Sequence, residues 1–365
     1  MDHSSNRYLL ANSPPGEGGF VTFDALLERA SSTFELDMHP SVAVQRFSNN
    51  SASDSVNRAI DLASKWTGVR STFGLGGSYS ELSTLGTELT STGVVEGNTR
   101  QRQETAFMSW QYQQSENRQL TAQANYNNTT YTGQEAFLLP GYRYPNGSLA
   151  ERFTLSDRDA ITVSASGGYL SSPHSPIQDS SLCASKTTTC SSSTEDEQLV
   201  AALDHSFSER LTLYASAGVN DRSSNGRKTG YVGEFTLKRI VDERNQWKLD
   251  YTRNVSASGF GVLAQHSAGT VSYSRDLAYQ LNAGLAVSYI EDSQDVTSGP
   301  LLLQTRKYES ADATLKWLSG ETSTVSLGAG YSRATTVSEP PTPVAHGWRA
   351  SISYRWTPRP VSFSR

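Results

Sequence analysis

The feature that most constrains this sequence is a period of two. Trp348, Ala350, Ile352, Tyr354 and Trp356 alternate with Arg349, Ser351, Ser353 and Arg355. Successive side chains of a strand point to opposite faces, so this order sets one apolar face against one polar face, whereas the 3.6-residue turn of a helix would mix them. The pattern recurs in Leu281, Ala283, Leu285, Val287 and Tyr289, and again in Val325, Leu327, Ala329 and Tyr331. Earlier segments agree: Leu211 to Val219, Ile161 to Tyr169, Leu120 to Tyr126 and Ala106 to Tyr112 each alternate with Thr, Ser, Gln, Asn or Gly. The count is about 16 segments of roughly ten residues, the length with which a tilted strand crosses a bilayer. Their approximate starts are Phe34, Arg58, Arg70, Thr105, Arg118, Ser148, Asp159, Glu197, Arg210, Thr229, Gln246, Ala264, Tyr279, Ser310, Thr322 and Gly347.

Composition conceals this order. With 36% hydrophobic residues and a mean hydropathy of -0.49, the chain looks like an ordinary soluble protein, because each strand averages an apolar residue with a polar one. No stretch approaches the 18 apolar residues of a membrane-crossing helix; Ala136-Phe137-Leu138-Leu139 is among the longest runs. A balance of 31 Lys and Arg against 36 Asp and Glu, net -5, argues against nucleic acid as a partner, since binding to phosphates needs concentrated cations. The start, Met1-Asp2-His3-Ser4-Ser5, lacks the basic then apolar order of a secretory leader, so the expectation is a leader already removed or a cytosolic chain.

The connections give an independent test. One set is tight and charged, as in Ser115-Glu116-Asn117-Arg118, Ser208-Glu209-Arg210 and Asp242-Glu243-Arg244-Asn245. The intervening set is longer and more varied: residues 48–57, 83–100, 128–147, 171–196, 221–228, 256–263, 290–304 and 335–346. Strict alternation of short and long connections is expected of an antiparallel up-and-down transmembrane β-barrel with short periplasmic turns and long extracellular loops. Tyr79, Tyr112, Tyr126, Tyr169, Tyr273, Tyr289, Tyr331 and Tyr354 share the apolar parity, and Trp66, Trp247, Trp317 and Trp356 fall beside short turns, as in an interfacial aromatic girdle.

The segment Phe34-Glu35-Leu36-Asp37-Met38-His39-Pro40-Ser41-Val42-Ala43-Val44 and the hairpin from Val271 to Leu281 carry a resemblance. The chain resembles bacterial outer-membrane β-barrels, and more narrowly the β-barrel porins associated with exopolysaccharide export or synthesis. That resemblance covers about residues 34–356 and implies a bacterial outer-membrane location and export of an extracellular polysaccharide. It also implies partners: outer-membrane lipid, the barrel-assembly machinery, periplasmic polysaccharide-export components and a polysaccharide or sugar solute. The end Ile352-Ser353-Tyr354-Arg355-Trp356 is similar to the terminal strand read by that machinery, although residues 357–365 follow as a periplasmic tail and Phe363 competes as the terminal aromatic.

Residues 1–33 read as a flexible periplasmic segment. Ser13 to Gly19 looks like a linker, and Phe23-Asp24-Ala25-Leu26-Leu27-Glu28-Arg29-Ala30 either makes two helical turns or, through Phe20-Val21-Thr22-Phe23, adds a strand. With a partner, that strand makes the alternative architecture of 18 strands.

A barrel of this size is too wide for its own wall side chains to fill. The inward parity assigns Asp61, Lys65, Gln111, Gln123, Asn125, Glu234, Lys238, Lys248, Asp250, Asp312, Lys316, Arg349 and Arg355 to the lumen. Mixed charges with neutral amides suit hydrated, uncharged or weakly charged solutes such as sugars; the plain alternative is that they only solvate and brace the wall. Glu35 and Asp37 on the first strand and Arg355 on the last are placed to pair across the closing seam. Tyr131, Phe137, Tyr142 and Tyr144 make residues 128–147 an aromatic loop, folded into the pore or packed on its mouth.

Cys183 and Cys190 bracket six residues and are expected to form a local loop disulfide, with no metal site. The six histidines are scattered, and no cofactor is expected. Adjacent His266 and Ser267 face opposite sides of a strand and cannot act together. The expected function is therefore an outer-membrane pore for polysaccharide export or passage of hydrophilic sugars, not an enzyme. The alternatives are a non-conducting structural or adhesion barrel and, behind it, a lipid hydrolase using His266 at the barrel mouth.

Overall fold

The computed structural model describes residues 2–4, 16–48, 54–84, 99–133, 139, 141–173, 192–223, 227–258, 261–293, 306–320, 322–336 and 344–357. The described residues form nineteen strands. The first three are β1 (Asp2–Ser4), β2 (Gly16–Asp24) and β3 (Leu27–Ala30). Then follow β4 (Phe34–Phe47), β5 (Ser55–Thr67), β6 (Ser71–Ser83), β7 (Arg100–Ser115), β8 (Arg118–Thr132) and β9 (Tyr142–Thr154). The next are β10 (Asp159–Ser172), β11 (Ser192–Ser208), β12 (Leu211–Ser223), β13 (Arg227–Asp242) and β14 (Asn245–Ala257). The last are β15 (Leu263–Ala278), β16 (Leu281–Ser293), β17 (Arg306–Leu318), β18 (Ser323–Thr336) and β19 (Ala345–Trp356).

From β4 to β19 every strand pairs antiparallel with the next in sequence. β2 and β3 lie end to end on the same edge of β4 and occupy one place in the wall. β1 joins the two ends: Asp2 to Ser4 pair with Ser351 to Arg349 of β19 on one side and with Gly18 to Gly16 of β2 on the other. The result is a closed antiparallel barrel with eighteen places in its wall, the larger of the two expected architectures. Closure leaves no edge running the length of the wall, which is what lets backbone N–H and C=O groups enter hydrocarbon.

The N-terminal third of a hundred residues corrects the sequence reading. Phe20 to Phe23 are strand, as one of the two readings had it, but Leu27 to Ala30 are strand as well and not helix. Ala25 N–H donates to the Pro40 carbonyl at 3.1 Å and carries the ladder through the break. Two isolated helical turns are too short to be stable in water, so the neighbouring edge of β4 decides the conformation. These added strands also undo the expected seam. Glu35 and Asp37 face Ala30 and Glu28 of β3, not Arg355, and the Glu35 carboxylate meets Lys65 Nζ at 3.6 Å.

Strands β4, β8 and β10 begin where the periodicity places them, at Phe34, Arg118 and Asp159. Several others begin earlier than expected on the long-loop side: β11 at Ser192, β9 at Tyr142 and β7 at Arg100. There the alternation of apolar with polar residues fades, as in Thr194-Glu195-Asp196-Glu197, where polar side chains stand on both faces: Thr194 and Asp196 buried on the inner one, Glu195 and Glu197 exposed on the outer one. β11 has 17 residues, and at about 3.3 Å per residue with a tilt of about 40° it rises roughly 40 Å, beyond the hydrocarbon of a bilayer.

On the short-turn side four two-residue turns follow the same device. A register shift breaks the ladder at Gln113/Ser115, Ser206/Ser208, Ile240/Asp242 and Asp276/Ala278 just before each turn. The extra residue raises local twist and starts the reversal. The outward face there carries the aromatics. Trp66 lies 5.2 Å from Phe34 and 5.7 Å from Phe73, and Trp247 lies 4.5 Å from Tyr273 (ring centroids).

Candidate functional site: the lumen wall and an inward-folded hairpin

Directly paired residues of an antiparallel sheet share a face, so the register fixes the lining. Gln111 pairs with Thr121 and Thr72, Gln123 with Ser109 and Ser148, and Asn125 with Phe107 and Asn146. Lys238 pairs with Lys248, Asp250 with Thr236, and Glu234 with Thr252. Asp312 pairs with Gly330, which pairs with Arg349; Lys316 pairs with Ser326 and Arg355 with Thr324. Asp61 and Lys65 pair with Ser78 and Gly74. All thirteen sequence-selected lumen residues therefore share one parity around the ring, opposite the face of Leu285, Val287, Leu327 and Ile352.

Three side-chain bonds on that face skip a strand. Arg349 Nη2 donates to Asp312 at 3.2 Å across Gly330 of β18. Tyr144 Oη donates to Asp196 at 2.7 Å across Gly168 of β10, where an added Cβ would lie 2.6 Å from that hydroxyl. Arg152 reaches Asp204 in the same way. Side chains two strands apart converge on a concave surface, so this polar face is the interior. Along β14, Lys248 Nζ meets Asp250 at 2.9 Å, leaving Lys238 and Lys248 as a directly opposed pair of cations.

At the long-loop end the wall divides. β13 and β14 pair from Asp242/Asn245 up to Gly233/Arg253 and no further. Above that level β13 stays with β12, and Asn254 to Ala257 pair only with β15. The detached tip of the β14–β15 hairpin turns inward. Gln265 Nε2 donates to the Tyr231 carbonyl of β13 at 3.2 Å, reaching past β14. Leu263 is buried in one cluster with Tyr142 and Leu170, and Val255, Ala257 and Tyr144 pack against it.

Tyr142 and Leu170 belong to the interior set, whereas Leu263 and Val255 belong to the set that faces outward lower in their strands. The tip therefore lies against the inner wall with its former outer side down. Gly261 (φ 71°) closes its turn, and Ser258 N–H donates to the Val262 carbonyl at 2.9 Å. A Cβ on Gly261 would overlap Ser172 Oγ, which itself donates to the Gly141 carbonyl at 2.8 Å. Beneath the tip the inner faces of β10 to β13 lose their solvent: Leu170 and Asn220 are 0% exposed, and Asp196, Arg222 and Val232 are buried. The hairpin tip narrows the outer end of the lumen.

This constriction is formed by a different segment from residues 128–147, of which residues 134–138 and 140 lie outside the described residues. Tyr131 lies in β8 and Tyr142 and Tyr144 lie in β9, so the aromatics assigned to a loop are wall residues of the interior face. Phe137 lies outside the described residues, as do Cys183 and Cys190. Residues 254–265 carried little advance signal, because Val255, Phe260, Val262 and Leu263 are set among small and polar residues with no sustained period; the φ-positive glycine at 261 is the residue that marks a sharp reversal. His266 is held by a carboxylate of the neighbouring strand. It pairs with Asp292 on β16, Nδ1 to carboxylate 2.6 Å, with Asp292 buried.

No family model matches the chain, and no curated protein matches it. Solved structures do. The FrpB iron transporter from Neisseria meningitidis (F5-1 variant) superposes with a TM-score of 0.57 at 9% identity, covering 97% of this chain and 66% of that one. The ferric citrate transporter FecA gives 0.52 at 10% identity, covering 98% and 63%. A variant of the ferric enterobactin receptor PfeA from Pseudomonas aeruginosa gives 0.51 at 9%, covering 93% and 70%. The chain thus spans two thirds or less of the length of several of these structures. At such identities the likeness is one of fold, the all-β barrel of outer-membrane transporters.

Proposed function

We propose that this protein is a pore of the bacterial outer membrane that passes hydrophilic solutes, with an extracellular polysaccharide leaving the cell as its cargo. The observation that carries the reading is the closed eighteen-place wall with an apolar outer face and a largely polar inner face. With strands about 4.8 Å apart and tilted about 40°, a barrel of this number has a backbone radius of roughly 17 Å, wide enough to hold water after side chains are counted. Gln111, Gln123, Asn125 and Lys65 stand exposed on the inner face.

A hydrated sugar entering such a lumen exchanges hydrogen bonds with water for bonds with amides and hydroxyls of similar strength, so passage requires no deep well. Fixed charges of both signs oppose strong retention of an ionic solute. Outer-membrane lipid covers the aromatic outer face, the barrel-assembly machinery reads the β19 end, and periplasmic export components meet the short-turn rim.

Single-channel recording in planar bilayers tests the reading. A steady current reduced by neutral oligosaccharides is expected. An absence of current across many insertions would favour a structural or adhesion barrel instead, and phospholipid hydrolysis lost in His266→Ala would favour an enzyme.

A further inference from the structure

Charge is unevenly distributed inside the barrel. On the inner faces of β13 to β19 stand Lys238, Lys248, Asp250, Asp312, Lys316 and Arg349. Across three consecutive strands, β6 to β8, the inner face carries no charged side chain at any described position. That arc is instead rich in amides, and they run the height of the wall from Gln113 and Gln119 at the short-turn end to Gln103 and Asn127 near the mouth.

The amides hold one another in place. Gln103 Nε2 donates to Asn127 Oδ1 at 3.3 Å, and Asn125 Nδ2 donates to Asn146 Oδ1 at 3.0 Å. Each such bond uses part of a carboxamide and leaves further donor or acceptor capacity toward the lumen. The neighbouring face of β6 is cut back to Gly74, Gly76, Ser78 and Ser80, which makes a trough beside the amide ridge. Phe107, an apolar ring midway along this face, lies over Gly76: a Cβ there would be 2.6 Å from its Cε1 and Cζ, and the residue remains 37% exposed to the lumen.

We propose that this arc is a binding track for an uncharged glycan chain. The inference rests on the pore reading above and adds where the chain runs and what it carries. Planar amides satisfy adjacent hydroxyls in pairs, an exposed aromatic face covers the C–H side of a pyranose ring, and the lack of charge avoids trapping water and counter-ions along the path. Many weak, repeated contacts suit a polymer that must slide. An acidic polymer gains nothing here, because no cation stands on the arc.

The test uses the full chain in planar bilayers with two probes of equal length, isomaltoheptaose and heptagalacturonate. Current block by the neutral probe is expected to exceed block by the acidic one. In Gln123→Ala/Asn125→Ala and in Phe107→Ala the concentration for half-block by isomaltoheptaose should rise by about five- to ten-fold, the effect of losing one or two neutral hydrogen bonds or a stacking face. Asp312→Asn/Lys316→Gln, nine wall places from β8 and neutral in net charge, should leave sugar block as it was. Equal block in the track variants and the wild type overturns the track, as does equal loss in the opposite-wall variant. If the wild type carries no current, the pore reading fails, and calorimetric titration of detergent-solubilised protein with the same two probes decides the track alone: absence of heat with isomaltoheptaose overturns it, and binding lost in Gln123→Ala/Asn125→Ala supports it.

Discussion

Gly261 lies against Ser172, although three strands of the wall separate the hairpin of the first from the strand of the second. No pairing in the sheet brings them together; the hairpin tip has left the wall to do so. The contact tolerates no Cβ, and the backbone of Gly261 is in the left-handed region, so any other residue is strained there by on the order of 1–3 kcal/mol. Gly261→Val is expected to lift the tip from the inner wall and raise single-channel conductance, with the barrel still resistant to unfolding by detergent at room temperature. An unchanged conductance would show that the tip does not narrow the path.

Leu170 offers a second route to the same tip, through chemistry and not shape. It is 0% exposed and clustered with Leu263 and Tyr142. Leu170→Asp places a carboxylate among apolar groups with no partner, which costs several kcal/mol unless the tip moves away and admits water. We expect new protease cleavage between residues 254 and 265 in that variant, read by mass spectrometry of the released fragments, and none in the wild type.

The aromatic trio Phe34, Trp66 and Phe73 joins three successive strands at the short-turn rim. Each pair contributes about 0.5–1.5 kcal/mol beyond its buried area. Trp66→Ala should lower the temperature at which the folded band on a gel is lost. Arg355→Glu should leave it unmoved, because β1, β2 and β3 stand between Arg355 and the carboxylates of β4.

Lys238 and Lys248 face each other inside the lumen, and only one has a carboxylate within 3 Å. Replacing both with Gln removes two positive charges from one level of the path. The reversal potential in a salt gradient should shift toward cation selectivity, more at 0.1 M than at 1 M salt, where screening falls to about 3 Å. No shift would place these side chains outside the conducting path.

Much of this architecture was legible because strands crossing a bilayer must alternate, and alternation is visible one residue at a time. β16 and β19 could be read by eye from Leu281 and Trp348 onward. Strand ends beyond the bilayer were not, since Thr194 to Glu197 are polar on both faces, including the inner one where Thr194 and Asp196 are buried, and their order carries no apolar period. β3 was obscured for another reason: Leu26, Leu27 and Ala30 fit a helix as well as a strand, and only the edge of β4 decides between them. The lumen parity of Gln123 and Asp312 followed from the pattern. The inward hairpin did not, because its position depends on where β13 and β14 part, a register event with no local sequence mark.

The closing joint has a consequence for how the molecule forms. From β4 onward each pairing links strands adjacent in the chain, so it can form as soon as a hairpin is made. The joint of β1 with β19 instead links residues 2–4 to residues 349–351, nearly the whole chain apart, through three register pairs. Among the described residues, bringing those ends together carries the largest loop-closure entropy, with only a three-residue pairing to offset it. The wall is therefore expected to grow as a curling ribbon and to become a tube in one late event, with both ribbon edges exposed until then and in need of a host to shield them.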